Sequence, residues 1–120
     1  MVIVRSTTGH TFGGYASAPW TSAGAYTSAD GCFLFLVENP HNDAPTLFDC
    51  TSTANAMYCV PSHGPCFGGG HDIGIFPGSD ATQSHTNFPH SYADTIGRGN
   101  ATFTGAQSFT PEDYEVWAVI

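Results

Sequence analysis

Gly64-Pro-Cys-Phe-Gly-Gly-Gly-His-Asp-Ile-Gly-Ile75 places a turn, three consecutive glycines, a His-Asp pair and strand-like sequence within twelve residues. Gly68, Gly69 and Gly70 carry no Cβ, so the backbone there is free to take positive φ or to lie against another backbone or a ligand. Two ligand readings fail on the residues themselves. A phosphate-binding P-loop needs Lys and then Ser or Thr at the start of a helix, whereas this chain has no lysine and its glycines lead into the strand-like Asp72-Ile-Gly-Ile-Phe76. The dinucleotide fingerprint needs a third glycine or alanine where Ile73 stands, and a helix behind it. A structural turn fits better: the glycines allow close packing, His71 and Asp72 are expected to pair with backbone groups, and Gly69→Val is expected to unfold or destabilise the domain.

Working outward, Ala56-Met-Tyr-Cys-Val60 is a predicted strand, Pro61 to Pro65 a turn, and Asp72–Phe76 the strand's partner. Val2–Ser6 and Thr11–Tyr15 flank the turn residues Thr7-Thr-Gly-His10 and predict a hairpin that starts the core at residue 2. Trp20 follows a proline and is expected to plug one end of the core, and Thr21–Asp30 has no period and is a predicted loop. Cys32-Phe-Leu-Phe-Leu-Val37 runs six residues without a polar interruption, which predicts a central strand covered on both faces. Asn, Asp and Pro between Glu38 and Pro45 end it, and Thr46–Phe48 is a short predicted strand. Pro77–Asn100 is loop-like and long enough that it should be packed down, with Phe88 and Tyr92 as anchors.

Ala101–Thr104 is a predicted edge strand, and Thr110-Pro-Glu-Asp113 has the proline and acids of a helix N-terminus or tight turn. Tyr114-Glu-Val-Trp-Ala-Val-Ile120 alternates with two half-apolar faces and predicts an internal strand closing the sheet. No stretch keeps a 3.6-residue apolar period, and no repeat, linker or charge block divides the chain. The expected fold is mainly β: one domain over residues 1–120, a sandwich of two antiparallel sheets with little or no helix.

The charge balance excludes a function class. Ten acidic residues against Arg5 and Arg98 give a formal net charge of −8, and two arginines cannot displace the counterions of a nucleic acid or an anionic membrane surface. No apolar run approaches the roughly 20 residues needed to cross a bilayer, and the start lacks the charged, apolar and cleavage regions of a signal peptide. Only 10% of residues are charged, so the surface is largely Ser, Thr, Asn, Gly and aromatic, as in secreted or packed-assembly proteins.

Candidate chemistry is weighed on spacing. Cys59, His63, Cys66 and His71 fall close together, but Cys-x3-His-x2-Cys-x4-His is not the paired spacing of structural zinc sites, so no metal is assigned. Cys66 and the His71-Asp72 pair are raw material for a nucleophile, yet adjacent strand residues point to opposite faces and there is no Gly-x-Ser-x-Gly elbow. No catalytic residue and no cofactor is assigned. Cys32, Cys50, Cys59 and Cys66 allow three full pairings, so both buried thiols and a Cys59–Cys66 bridge across the Val60–Pro65 turn stay open. Asn100-Ala-Thr102 is the sole N-glycosylation sequon.

Val2-Ile-Val-Arg-Ser-Thr-Thr-Gly-His-Thr-Phe-Gly-Gly-Tyr15, Ser17-Ala-Pro-Trp20, Cys32-Phe-Leu-Phe-Leu36, Gly64-Pro-Cys-Phe-Gly-Gly-Gly-His-Asp-Ile73 and Tyr114-Glu-Val-Trp117 together resemble the successive motifs of the TLDc (oxidation-resistance-type) domain family. The resemblance covers essentially the whole chain, less the helical segment that usually precedes the first strand. It marks Gly13, Gly14, Trp20, Gly68, Gly69, Gly70, His71, Asp72, Glu115 and Trp117 as fold-motif residues. It implies a β-sandwich without an agreed active site: a noncatalytic interaction module that is stress-protective or regulates the vacuolar proton-pumping ATPase through a protein partner. The loops Thr21–Asp30 and Pro77–Asn100 are the expected partner surface. Family analogy places such a chain inside the cell, while the uncharged composition, even cysteine count and sequon support an alternative: an extracellular structural or adhesive subunit, glycosylated and self-associating into filaments.

Overall fold

Alternation and turn chemistry do form strands. The computed structural model describes residues 1–17, 25–59, 66–75 and 84–116. Among these described residues nine strands are defined: β1 (Val2–Ser6), β2 (Thr11–Tyr15), β3 (Ala25–Thr27), β4 (Phe33–Glu38), β5 (Thr46–Asp49), β6 (Met57–Cys59), β7 (Cys66–Phe67), β8 (Ile73–Gly74) and β9 (Pro111–Val116). They make two antiparallel sheets, one in the order β5-β4-β2-β1-β9 and one in the order β3-β6-β7-β8. The mainly β, two-sheet architecture with little helix is as expected.

Register decides which side chains make the core. Val2 faces Gly14, Val4 faces Phe12, Leu34 faces Gly14 and Phe48, and Leu36 faces Phe12, so one inward set runs across the five-stranded sheet. Val2, Val4, Phe12, Leu34, Leu36 and Phe48 are buried with Met57, Phe67 and Ile73 of the smaller sheet. Gly14 sits under the Phe67 ring, and a Cβ there would come within 2.6 Å of it, so the missing side chain lets the two sheets approach. A loop fills the rest of the core. Phe88, Phe103 and Phe109 enter from between β8 and β9, with ring centroids of 5.0 Å for Phe12–Phe103, 5.2 Å for Phe12–Phe109 and 4.9 Å for Phe48–Phe88.

Several expectations are corrected. The predicted loop Thr21–Asp30 contains β3, which pairs with β6 and sets the Tyr26 and Tyr58 rings 4.7 Å apart. The partner of β6 is β7, a two-residue strand inside the glycine stretch, and Ile73–Gly74 pairs with β7 instead. β4 is not covered on both faces: Leu34 and Leu36 are buried, Phe33 and Phe35 only half-buried, and Val37 is exposed. Ala101–Thr104 is no edge strand. Gly99–Ala101 forms a 3-10 turn, because the Asp94 carboxylate accepts from the amides of Ile96, Gly97 and Gly99 and folds the chain back. Thr110–Asp113 is no helix start; Pro111–Asp113 opens β9, since pairing of Asp113 with Arg5 and Tyr114 with Val4 outweighs the local proline-and-acid signal. Among the described residues β9 is an outer strand of its sheet rather than an internal one, which suits a strand beginning at Pro111. Trp20, Trp117 and the Pro61–Pro65 turn lie outside the described residues.

Candidate functional site

The glycine stretch closes on its own protein. Gly68 has φ +90° and His71 φ +59°, and the His71 amide donates to the Gly68 carbonyl, making a tight turn just before β8. The Gly68 amide donates to Ala56 O (3.0 Å), and the Gly69 amide to Ser91 Oγ (2.8 Å). Tyr26 Oη–H donates to Gly69 O (2.7 Å) and Asn87 Nδ2 to Gly70 O (2.7 Å). Amides that a phosphate would need are thereby engaged within the chain.

Asp72 is the centre of this arrangement. Its buried carboxylate accepts from the backbone amides of His90 (2.7 Å), Ser91 (3.0 Å) and Tyr92 (3.1 Å), three consecutive residues of the long loop. Its carbonyl accepts from Thr86 Oγ1 at 2.5 Å. Burial pushes the Asp72 carboxyl above the ordinary carboxylate range, and the three amides pull it part of the way back. The loop is pinned at the same place from its other side: Thr51 N donates to Ser91 O, Ala93 N to Asp49 O, and Tyr92 Oη–H to Ala56 O. Phe88 and Tyr92 are both buried, as expected of anchors.

Ser91, His90 and Asp72 look like a hydrolytic triad by type, and the geometry gives them another task. His90 Nδ1 is 3.1 Å from Ser91 Oγ, but Asp72 holds the His90 main-chain amide and not its imidazole. Ser91 is fully buried and its Oγ already accepts from Gly69. A nucleophile needs an exposed oxygen and a base with its own orienting group, so these residues hold backbone in place. His71 packs its ring against Tyr58 at 5.0 Å and His85 at 5.9 Å. Among the described residues no three His, Cys, Asp or Glu side chains gather as a metal set, and His63 and the Cys59 side chain lie outside them.

The other marked residues are scattered. Gly13 lies on β2 beneath the Phe35 ring, and Glu115 lies exposed on β9 opposite Ile3. Cys66 is buried on β7 with Tyr58 directly opposite, so Cys59 stands one position out of register with it. Asn100 is exposed in the 3-10 turn, whereas Thr102 of its sequon is buried and bonded to Gly99 O.

Sequence reasoning missed the outward face of the five-stranded sheet. One row runs Leu47, Phe35, Gly13, Ile3 and Glu115 across β5, β4, β2, β1 and β9. Beside it the Tyr15 and Phe33 rings stack with centroids 5.2 Å apart. Leu47 is 59% and Val37 43% exposed, and Glu38, Asp49, Asp113 and Glu115 are exposed at the margins. Its signal was the uninterrupted apolar run Cys32–Val37: half of that run is core, and the other half is this face.

A two-sheet antiparallel sandwich whose glycine turn is locked by an internal carboxylate, with an apolar face on its larger sheet, defines a β-sandwich module. The chain belongs to the TLDc domain family, which matches residues 1–120. It is 30% identical over 128 aligned residues to the MTOR-associated protein MEAK7 of Gallus gallus, covering 99% of this chain and 25% of that protein. The chain thus spans about a quarter of the length of that relative. No solved structure matches it. No helix among the described residues is long and apolar enough to cross a membrane.

Proposed function

We propose that this chain is a noncatalytic protein-interaction module of the TLDc type, docking a partner on the outward face of its five-stranded sheet. The observation that carries this reading is the exposure of Leu47 and Val37 beside the half-buried Phe33, Phe35 and Tyr15, since contiguous exposed apolar surface marks contact sites. Within the loop Pro77–Asn100, expected with Thr21–Asp30 to offer the partner surface, the described residues His90, Ser91 and Tyr92 are tied to Asp72, and Phe88 and Tyr92 are buried in the core. Association with MTOR is what the relative's name says of that protein. For this chain an MTOR-containing assembly is therefore the first partner to try, and the vacuolar proton-pumping ATPase, with a stress-protective role, is the one the family resemblance implies.

The test is binding of purified candidate assemblies to the chain and to the double variant Val37→Asp, Leu47→Asp. Both positions are exposed, so the variant should melt with the wild type and lose binding at least tenfold. Binding that survives in a folded variant removes this face as the docking site, and no binding by the wild type removes both named partners.

A second reading, an extracellular structural or adhesive subunit, is favoured by the exposure of Asn100. Intact mass before and after deglycosylation decides it: a chain expressed through a secretory pathway without added glycan counts against this alternative.

A further inference from the structure

Cys32 and Cys50 are cross-strand neighbours. Phe33 pairs with Asp49 at the end of the β4–β5 ladder, so the next pair outward is Cys32 with Cys50, and the Cys50 amide donates to the Cys32 carbonyl at 3.3 Å. Their parity is that of Leu34 and Phe48, the buried pair two residues along, so both side chains lie on the inner face. Cys32 belongs to the buried core, and Cys50 is half-buried and packed against it. Both are thiols in this structure.

We propose that Cys32 and Cys50 form a reversible intramolecular disulfide site oxidised by a peroxide, which ties the ends of β4 and β5 together. Hydrogen-bonded antiparallel pairs have Cα atoms about 5.5 Å apart, inside the roughly 4.4–6.8 Å range that disulfides span. Unequal access sets the order of events. The half-buried Cys50 meets the oxidant first, beside the Tyr92 hydroxyl, while Cys32 waits behind it with Ser17 N–H donating to its sulfur at 3.5 Å. Burial pushes the Cys50 thiol above its ordinary range, so the attack runs through its minor thiolate form: the proton goes to solvent and the sulfur attacks one peroxide oxygen. The O–O bond breaks and the departing hydroxide is protonated to water, leaving Cys50 as a sulfenic acid. Deprotonated Cys32 then attacks the Cys50 sulfur, the S–O bond breaks, and a second water leaves. Two thiols have given two electrons to one peroxide. A dithiol reductant reverses the bond by exchange.

The bond would reach beyond one ladder. Cys50 also bridges to Tyr92, whose amide is held by Asp72, so the crosslink adds a covalent tie where β4, β5 and the long loop meet.

The experiment treats the folded chain with hydrogen peroxide, blocks remaining thiols, digests with pepsin and maps linked peptides by mass spectrometry. Pepsin suits a chain whose sole tryptic positions are Arg5 and Arg98. A Cys32–Cys50 linked peptide in most of the chain, lost on treatment with dithiothreitol, is the expected result. Cys66→Ser should keep the link, and Cys50→Ser should lose it. A bridge between any other pair, a Cys50 oxidised to sulfinic acid with Cys32 unmodified, or no linked peptide at all overturns the proposal. Mapping of the unsubstituted chain decides the matter even if the serine variants fold poorly.

Discussion

Gly68 shows what a single residue decides. Its φ of +90° is a conformation that side-chain-bearing residues rarely adopt, and a Cβ there would overlap the Asp72 carboxylate that holds three loop amides. Gly68→Ala should therefore cost about 3 kcal/mol, combining backbone strain with disruption of charged hydrogen bonds. Gly69→Ala should cost about 1 kcal/mol, since its φ is not positive and its Cβ would meet only the side chains of half-buried Asn55 and exposed His90, at 3.2 Å. Urea denaturation of the two variants checks the order, and equal losses would contradict it. The sequence offered three glycines with nothing to rank them, and its expectation fell on Gly69; the positive φ that singles out Gly68 depends on where the chain goes next. Asp43 supplies a pH signature. Arg98 donates to both its oxygens, at 2.6 and 3.0 Å, and this bonding holds the Asp43 carboxyl below the ordinary range. With the folded pKa below the unfolded one, the pair's contribution is present above the unfolded value and is lost as pH falls through the folded value. Arg98→Gln should return Asp43 to the ordinary carboxylate range in a carboxyl-carbon NMR titration; an unmoved midpoint would refute the assignment.

At the scale of elements, the long segment between β8 and β9 behaves as part of the core. Phe103 is fully buried, with Phe12 at 5.0 Å, Phe88 at 5.2 Å and Phe48 at 6.0 Å between ring centroids. Phe103→Ala should cost about 3–5 kcal/mol, as much as truncating a strand phenylalanine, and thermal or urea melting measures it. A loss below about 1 kcal/mol would mean that the segment is not load-sharing. The hairpin β1–β2, β4, β5 and β6 were legible because alternation bounded by turn residues is local information. β3 and β7 were not: three and two residues are too few to carry a period, and each exists because a neighbour offers a free edge. β9 shows the reverse case, where a proline and acids signal a helix start and long-range pairing with β1 overrides them.

For the whole molecule, the acidic balance makes a basic or uncharged partner the electrostatically favoured one, since Arg5 and Arg98 are each engaged with a carboxylate, Glu112 and Asp43. The apolar face that such a partner would cover needs both levels of information. Residue order supplied the uninterrupted run Cys32–Val37; the sheet order decided that its second side looks outward. By itself the sequence determined the fold class, the family, most strands and the structural character of the glycine turn, because propensity, turn chemistry and missing Cβ atoms act over a few neighbouring residues. Only the tertiary structure decided that Asp72 holds His90 to Tyr92, that Cys32 faces Cys50, and that Phe103 is core. Each is a contact between residues 18 to 91 positions apart, and register and packing across distant segments bring such residues together.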